Sequence, residues 1–522
     1  MPDKKITCPF CFNSFNDQDV HFRMETVFKD EELDPEGEAR TKEDLEGIIL
    51  TTNDEEIIQR TRSVIEQYEF RAHFQAGPDQ TYEDFWRNFG PGTTEESFDA
   101  VDGRTKSIKP YHRPVYSISK KEHNAFFSKV ADKKTIIEDD LVVGATDCFG
   151  NQTKRRVCPY CHNPLPGKSY GRYPVLFIPI IGVTGSGKTV YLSQVCKYIT
   201  RSLARYSISC NTTSQYAAQY VSRFPVKIGS QLPRPTAPEV LLQPLCFDVA
   251  YRDNNDIVHN HTLVFYDIAG ENCVNPEKLD RWGKFILHAD AIILVIDPIQ
   301  FTMGTEADEP SQVLNTIYNT LGADKLTKIP FAVCVSKGDK AAKHILGTEL
   351  TDIVEVKDSL GVPLPKFNAD DYNAVNDKMS EFVRVTDGVL HNELQTHYNN
   401  YNYFLFSALG CDVEKKGEGV FEPVAIPVPR RIMEPLLWIL EEYRYITAEG
   451  IIHEPTDWFC PVCKQRLKHE VKYCPKCHVN AGQSKCYCFR CNVEYEYNKD
   501  GKNYCPKCKR DSDGKKKSIF SF

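Results

Sequence analysis

Eight residues constrain this chain more than any others. Gly182-Val183-Thr184-Gly185-Ser186-Gly187-Lys188-Thr189 follows an apolar run, Val175 to Val183, and precedes a stretch in which Val190, Leu192, Val195 and Ile199 recur at helical spacing. A buried strand, a glycine-rich turn and a helix, in that order, make a phosphate cradle. Glycines let successive backbone N–H groups turn inward, and the helix N-terminus adds a positive dipole end. Lys188 is expected at the β- and γ-phosphates of a nucleotide, and the Thr189 hydroxyl on Mg²⁺. Gly182, Thr184, Gly185, Ser186 and Gly187 are the expected phosphate contacts.

Short apolar runs follow at Val240–Val249, Thr262–Tyr266, Ala291–Ile296, Phe331–Val335 and Tyr403–Phe406. Helical stretches such as Gln312–Leu321 and the segment after Pro435 separate them. This alternation predicts an α/β fold with a mostly parallel sheet over residues 172–448. Leu263–Gly270 ends an apolar strand in Asp267, placed to hold a Mg²⁺ shell, and then offers the Gly270 N–H to a γ-phosphate. Phe331–Val335 runs into Ser336-Lys337-Gly338-Asp339. A carboxylate there accepts two hydrogen bonds from a guanine edge, which adenine cannot offer, and the Lys337 stem covers the ring. Ser407-Ala408-Leu409 follows the last strand, where a backbone N–H is expected at the guanine oxygen. Tyr266 and Asp297 also end apolar strands and read as structural.

Cysteine spacing adds a second constraint. Twelve of the 20 cysteines form six Cys-x-x-Cys pairs, and in five of them proline follows the first cysteine. Two thiolates on so tight a turn fill two corners of a tetrahedral zinc site. Cys460/Cys463 with Cys474/Cys477, and Cys488/Cys491 with Cys505/Cys508, predict zinc ribbons at residues 457–480 and 485–512, ahead of a flexible basic tail at 513–522. Cys8/Cys11 with Cys158/Cys161 predicts a third, split between residues 1–11 and 158–166, with Cys148 and His162 as alternative ligands. Between them, residues 12–157 read as a mixed, partly irregular insertion, with a helix starting at the N-cap candidate Asp54 and strands within Asp139–Arg156. Four-thiolate sites have no open position, so these zincs are expected to be structural.

In order, the Walker A sequence, Asp-x-x-Gly, Ser-Lys-x-Asp and Ser-Ala-Leu resemble the TRAFAC (Ras-like) class of P-loop GTPases. The runs Val240–Val249 and Thr262–Tyr266 fit the antiparallel strand pair of that class. With the zinc knuckles, the chain more specifically resembles the double-GTPase families of bacterial conflict systems. The resemblance implies GTP and GDP as ligands, Mg²⁺, and hydrolysis of GTP. It covers the 172–448 region and leaves out the insertion and the C-terminal tail. Two departures stand out: Ser336 replaces the usual Asn or Thr, and Glu271 sits where the water-orienting Gln is common. Hydrolysis is therefore expected to be slow, with Lys188, Glu271 and the switch residue Thr236, in Pro-Arg-Pro-Thr-Ala-Pro, as its groups. An ATPase is the reading that Asp339 and Lys337 oppose.

Charge bears on partners. Cys460–Phe522 holds 15 Lys/Arg against 6 Asp/Glu, a net +9, while the remainder carries −17. A basic tail with Tyr487, Phe489, Tyr495, Tyr497 and Tyr504 is compatible with RNA or DNA. Ribbons this small need aromatics for their own cores, so docking of a protein partner is favoured, with a nucleic-acid-binding zinc module as the alternative. The start, MPDKKITCPF, has no apolar h-region, and the longest apolar run is about half a membrane span. A cytoplasmic protein without a membrane partner is expected.

Overall fold

The apolar run at Val175 becomes a middle strand of a seven-stranded sheet. The computed structural model describes residues 5–29, 34–88, 110–182, 185–234, 241–252, 257–274, 276–301, 310–321 and 328–449, together with the short segments 458–460, 466–467, 474, 485–488, 493–496 and 505–507. The strands are β1 (Val175–Gly182), β2 (Ser209–Thr212), β3 (Leu245–Arg252), β4 (Val258–Ala269), β5 (Ile292–Ile296), β6 (Phe331–Val335) and β7 (Tyr401–Leu405). Their order is β2-β3-β4-β1-β5-β6-β7. The β4-β1-β5-β6-β7 block is parallel, whereas β3 runs antiparallel to both β4 and β2.

Side-chain alternation explains how this sheet is covered. Ile292, Leu294 and Ile296 face one layer, which contains α3 (Pro276–Leu287), α4 (Pro310–Leu321), α6 (Ala369–Thr386) and α7 (Gly388–His397). Ile293 and Val295 face the other, built on α1 (Lys188–Ala204), α2 (Gln215–Arg223) and α8 (Glu434–Glu442). Helix α5 (Gly338–Leu346) follows β6. The strand expected at Val240–Val249 starts only at Leu245, because Pro244 has no N–H for the ladder. β4 is longer than the expected Thr262–Tyr266, since its first half continues the antiparallel pairing as far as Arg252↔Val258.

The segment read as an insertion is woven into the ribbon. Lys5–Thr7 pairs with Ser14–Asn16, so the first knuckle's hairpin crosses the boundary expected at residue 11. Three strands, Val115–Ser117, His21–Arg23 and Arg156–Val157, lead into the second knuckle. The helix at Glu55–Phe70 starts as expected, with the Asp54 carboxylate accepting from the N–H groups of Glu56 and Ile57. The buried Arg156 guanidinium donates to the carbonyls of Gly167, Lys168 and Tyr170, which locks the connection to β1. Beyond the main domain, Trp458–Phe459 pairs with Arg466–Leu467, and Lys485–Cys488 with Val493–Glu496. These are hairpins beside the knuckles expected there. Among the described residues, no helix is long and apolar enough to cross a membrane.

Candidate nucleotide site and metal centre

β1 delivers the glycine-rich turn to the edge of a cleft of about 740 Å³. A Cβ at Gly182 would meet Ser186 Oγ at 2.6 Å, so only glycine fits there. Gly185 and Gly187 take φ +78° and +80°, which lets the chain turn sharply before Lys188 opens α1. Lys188 and Thr189 then meet the end of β4. The Lys188 ammonium lies 3.1 Å from Asp267 Oδ1, and the Thr189 hydroxyl donates to Asp267 Oδ2 at 3.2 Å. All three side chains are buried. The Tyr220 hydroxyl, from α2, donates to the same Asp267 oxygen at 3.3 Å. Gly270 donates its N–H to the Gly182 carbonyl at 2.8 Å, and Glu271 lines the cleft just beyond.

The other end of the cleft is built on β5, β6 and β7. Lys337 adopts a left-handed φ of 53° before α5, and its ammonium pairs with Asp297. The Asp339 carboxylate accepts the Ser407 hydroxyl at 2.5 Å, and Gly338 donates to the Phe406 carbonyl at 2.8 Å. The Ala408 carbonyl accepts from Gln194 at 3.0 Å, tying this loop to α1. Asp297 therefore lines the site rather than serving only the scaffold. The cause is register: Ile296 sits opposite Val335, so the residues that leave β5 and β6 face one another.

Most expected nucleotide-site residues converge here. Gly182, Gly185 to Thr189, Glu271, Lys337, Asp339, Ser407 and Ala408 line the cleft, while Asp267 and Gly270 sit against the residues of its wall. Thr184 and Thr236 lie outside the described residues. Two parts of the site's surroundings were not expected. Tyr220, buried against Asp267, left no local signal. The other borders the wall formed by Leu232, Pro233 and Arg234, at the start of the Pro-rich segment expected to carry the switch, where Leu232 donates its N–H to Phe421 O at 2.8 Å. Phe421 belongs to a hairpin, Val413–Gly417 with Val420–Pro423, that borders the cleft. Its Gly417-Glu418-Gly419 turn is a signal that turn chemistry could have found.

The N-terminal knuckles also converge. The sulfurs of Cys8, Cys11, Cys158 and Cys161 all lie within 4.8 Å of one another, and Cys8–Cys161 and Cys11–Cys158 are 3.7 and 3.6 Å apart. A tetrahedron with Zn–S arms of about 2.3 Å has edges of about 3.8 Å, so the donor set fits zinc. Burial pushes the Cys8 thiol up, whereas hydrogen bonds from Cys158, Cys161 and Cys8 pull Cys11 down, as expected of thiols sharing one site. The two knuckles repeat each other. Cys8 and Cys158 each accept, through their carbonyls, from Phe12 and His162, and through their sulfurs from Phe10 and Tyr160. His162, an alternative ligand, turns to Asp79 at 2.9 Å instead. Cys148 is outside the four-sulfur group. At the C-terminal ribbons Cys460, Cys474 and Cys505 are buried and Cys488 ends its strand, while Cys463, Cys477, Cys491 and Cys508 lie outside the described residues.

A mostly parallel sheet whose middle strand runs into a glycine-rich turn and helix, next to a strand that carries an aspartate near its end, is the fold of a P-loop NTPase. Residues 176–380 match the family model described as Double-GTPase 2, which supports a GTPase-type function for this segment. Across 214 residues the chain is 26% identical to the "Putative ESX-1 scaffolding and assembly protein SaeC" of Mycolicibacterium smegmatis, which covers 37% of this chain and 54% of that protein. The chain thus spans about half the length of this curated relative.

Proposed function

We propose that this protein is a guanine-nucleotide switch that binds GTP, hydrolyses it slowly to GDP and phosphate, and engages a protein partner through its zinc ribbons. One observation carries the reading. A single cleft joins Lys188 and Thr189, with Asp267 beneath them, to Lys337, Asp339 and Ser407 at the far end. The first group suits a triphosphate, and the second suits a guanine edge.

Nucleotide binding would exchange polar contacts that the protein already makes. The Lys188 ammonium passes from Asp267 to the β- and γ-phosphates. Thr189 and Asp267 are hard oxygen donors at 3.2 Å, and they would hold Mg²⁺. Mg²⁺ supplies charge neutralisation at the phosphates. Asp339 gives up the Ser407 hydroxyl for the guanine edge, and the loop at Ser407 and Ala408 offers N–H groups to its oxygen. Gly270 has two alternative acceptors, the Gly182 carbonyl and a γ-phosphate, and this choice is the switch. Thr236 is the residue we assign to the second switch contact. Glu271 faces the attacking water as an acceptor, but its charge opposes that of the phosphate.

The relative's name as a putative scaffolding and assembly protein supports a protein partner. We divide the chain into a split N-terminal ribbon, residues 12–157, the nucleotide domain at 172–448, and two C-terminal ribbons, in a cytoplasmic protein. The test is calorimetric titration of the full chain with GTP, GDP and ATP. Micromolar binding of the guanine nucleotides with at least tenfold weaker ATP is expected, whereas equal ATP binding removes the guanine assignment.

A further inference from the structure

We infer that the N-terminal four-cysteine ribbon is a positioning element of the nucleotide site, acting through Phe12 on α3 and through Pro9 on β4. This deepens the proposed function and rests on it. Phe12, directly after Cys11, has φ +59°, and His162, directly after Cys161, has φ +51°. The turn that folds each knuckle back onto its first cysteine imposes this conformation, which bulky residues rarely adopt. At the second knuckle the position is filled by a histidine held by Asp79. At the first, a phenylalanine takes it and leaves the ribbon altogether.

The Phe12 ring enters the nucleotide domain. It meets Phe177 of β1 at 5.4 Å and Phe285 of α3 at 5.2 Å, both edge to face, and stacks on His288 at 4.6 Å. It also lies 5.9 Å from Tyr266, which packs on Phe285 at 5.0 Å. The Tyr266 hydroxyl donates to the Pro9 carbonyl, inside the Cys8–Cys11 turn, at 2.8 Å. Tyr266 immediately precedes Asp267, and α3 follows Gly270 and Glu271. Both contacts therefore bracket the segment that holds the Mg²⁺ ligand and the γ-phosphate sensor. The turn fixes the backbone at Phe12, and the buried ring carries that fixed geometry to the segment.

Three full-length variants test the coupling. Phe12→Ala is expected to retain its metal count by native mass spectrometry. Amide exchange across residues 264–290 should accelerate at least tenfold, and affinity for a slowly hydrolysed GTP analogue should fall at least fivefold, with GDP affinity changing less than twofold. Phe12→Leu should recover at least half of each loss, which a merely unfolded ribbon would not allow. Tyr266→Phe, which removes only the hydroxyl, should accelerate exchange at 264–270 two- to fivefold, and it decides the matter if Phe12→Ala does not fold. Unchanged exchange in a metal-loaded Phe12→Ala protein, or in Tyr266→Phe, overturns the inference. If the wild type binds no guanine nucleotide the proposed function fails, and the exchange measurement still decides whether the ribbon positions this segment.

Discussion

The Lys188 ammonium and the Asp267 carboxylate lie 3.1 Å apart, both buried, at the junction of α1 and β4. Each group would be costly to bury alone, and in the proposed function each exchanges the other for a ligand: phosphate for the lysine, Mg²⁺ for the aspartate.

Lys188→Ala removes the cation facing the phosphates. GTP and GDP affinity should fall at least tenfold, about 1.4 kcal/mol, in calorimetric titration. The variant also removes the cation beside the buried Asp267, so its thermal stability should be measured in parallel. Unchanged affinity would exclude the phosphate role.

Asp339→Asn should weaken GTP binding and turn selectivity toward xanthosine nucleotides, because an amide can donate to the added base oxygen. Competition between GTP and XTP for the purified variant reads this directly. No gain in XTP over GTP would mean that the base lies elsewhere.

Single-turnover hydrolysis should proceed at about 10⁻⁴ to 10⁻³ per second, the range of an unassisted Ras-like site. Glu271→Gln removes a negative charge beside the γ-phosphate and restores a water-orienting amide, so the rate should rise severalfold. Turnover above about one per second in the wild type would contradict a slow switch.

Zinc should total three per chain in native mass spectrometry, and Cys8→Ser with Cys161→Ser should lower it to two. Chelation should act on the expected C-terminal ribbons first, since segments of that length can bury little apolar surface, while the N-terminal site shares its core with the nucleotide domain. A wild-type count of two would break the proposed pairing.

Stability should fall as pH rises through a definite window. Burial, reinforced by Glu442, pushes the Glu441 carboxyl from its ordinary 4.5 up to about 8. Between these values the folded chain keeps a proton that the unfolded chain has lost, so each pH unit costs up to about 1.4 kcal/mol. Glu441→Gln should flatten this slope, raising the melting temperature at pH 8 and changing it little at pH 4.5. A wild-type melting temperature that is level across the window would show the group to be ionised in the fold.

Much of the candidate nucleotide site was legible because its pattern is local. A strand, a glycine turn and a helix start occupy consecutive residues, so Gly182–Thr189 announced the local structure, and Asp267 and Asp339 stand near strand ends that apolar runs mark by themselves. The cysteine knuckles were legible for the same reason, since four residues make the turn.

What the sequence alone left open depends on contacts between distant positions. Cys11 and Cys158 are 147 positions apart, and because the entropy of closing a loop changes slowly with its length, spacing says little about which knuckles pair. Asp297 looked like scaffold until the β5–β6 register set it against Lys337. Tyr220 reaches Asp267 only because α2 packs on α1 and β3. Phe12 looks like any aromatic in a small ribbon. Only the docking of that ribbon on β1, β4 and α3 makes it part of the nucleotide domain's core, because burial is a property of the packed surfaces that meet there, not of either segment's own pattern.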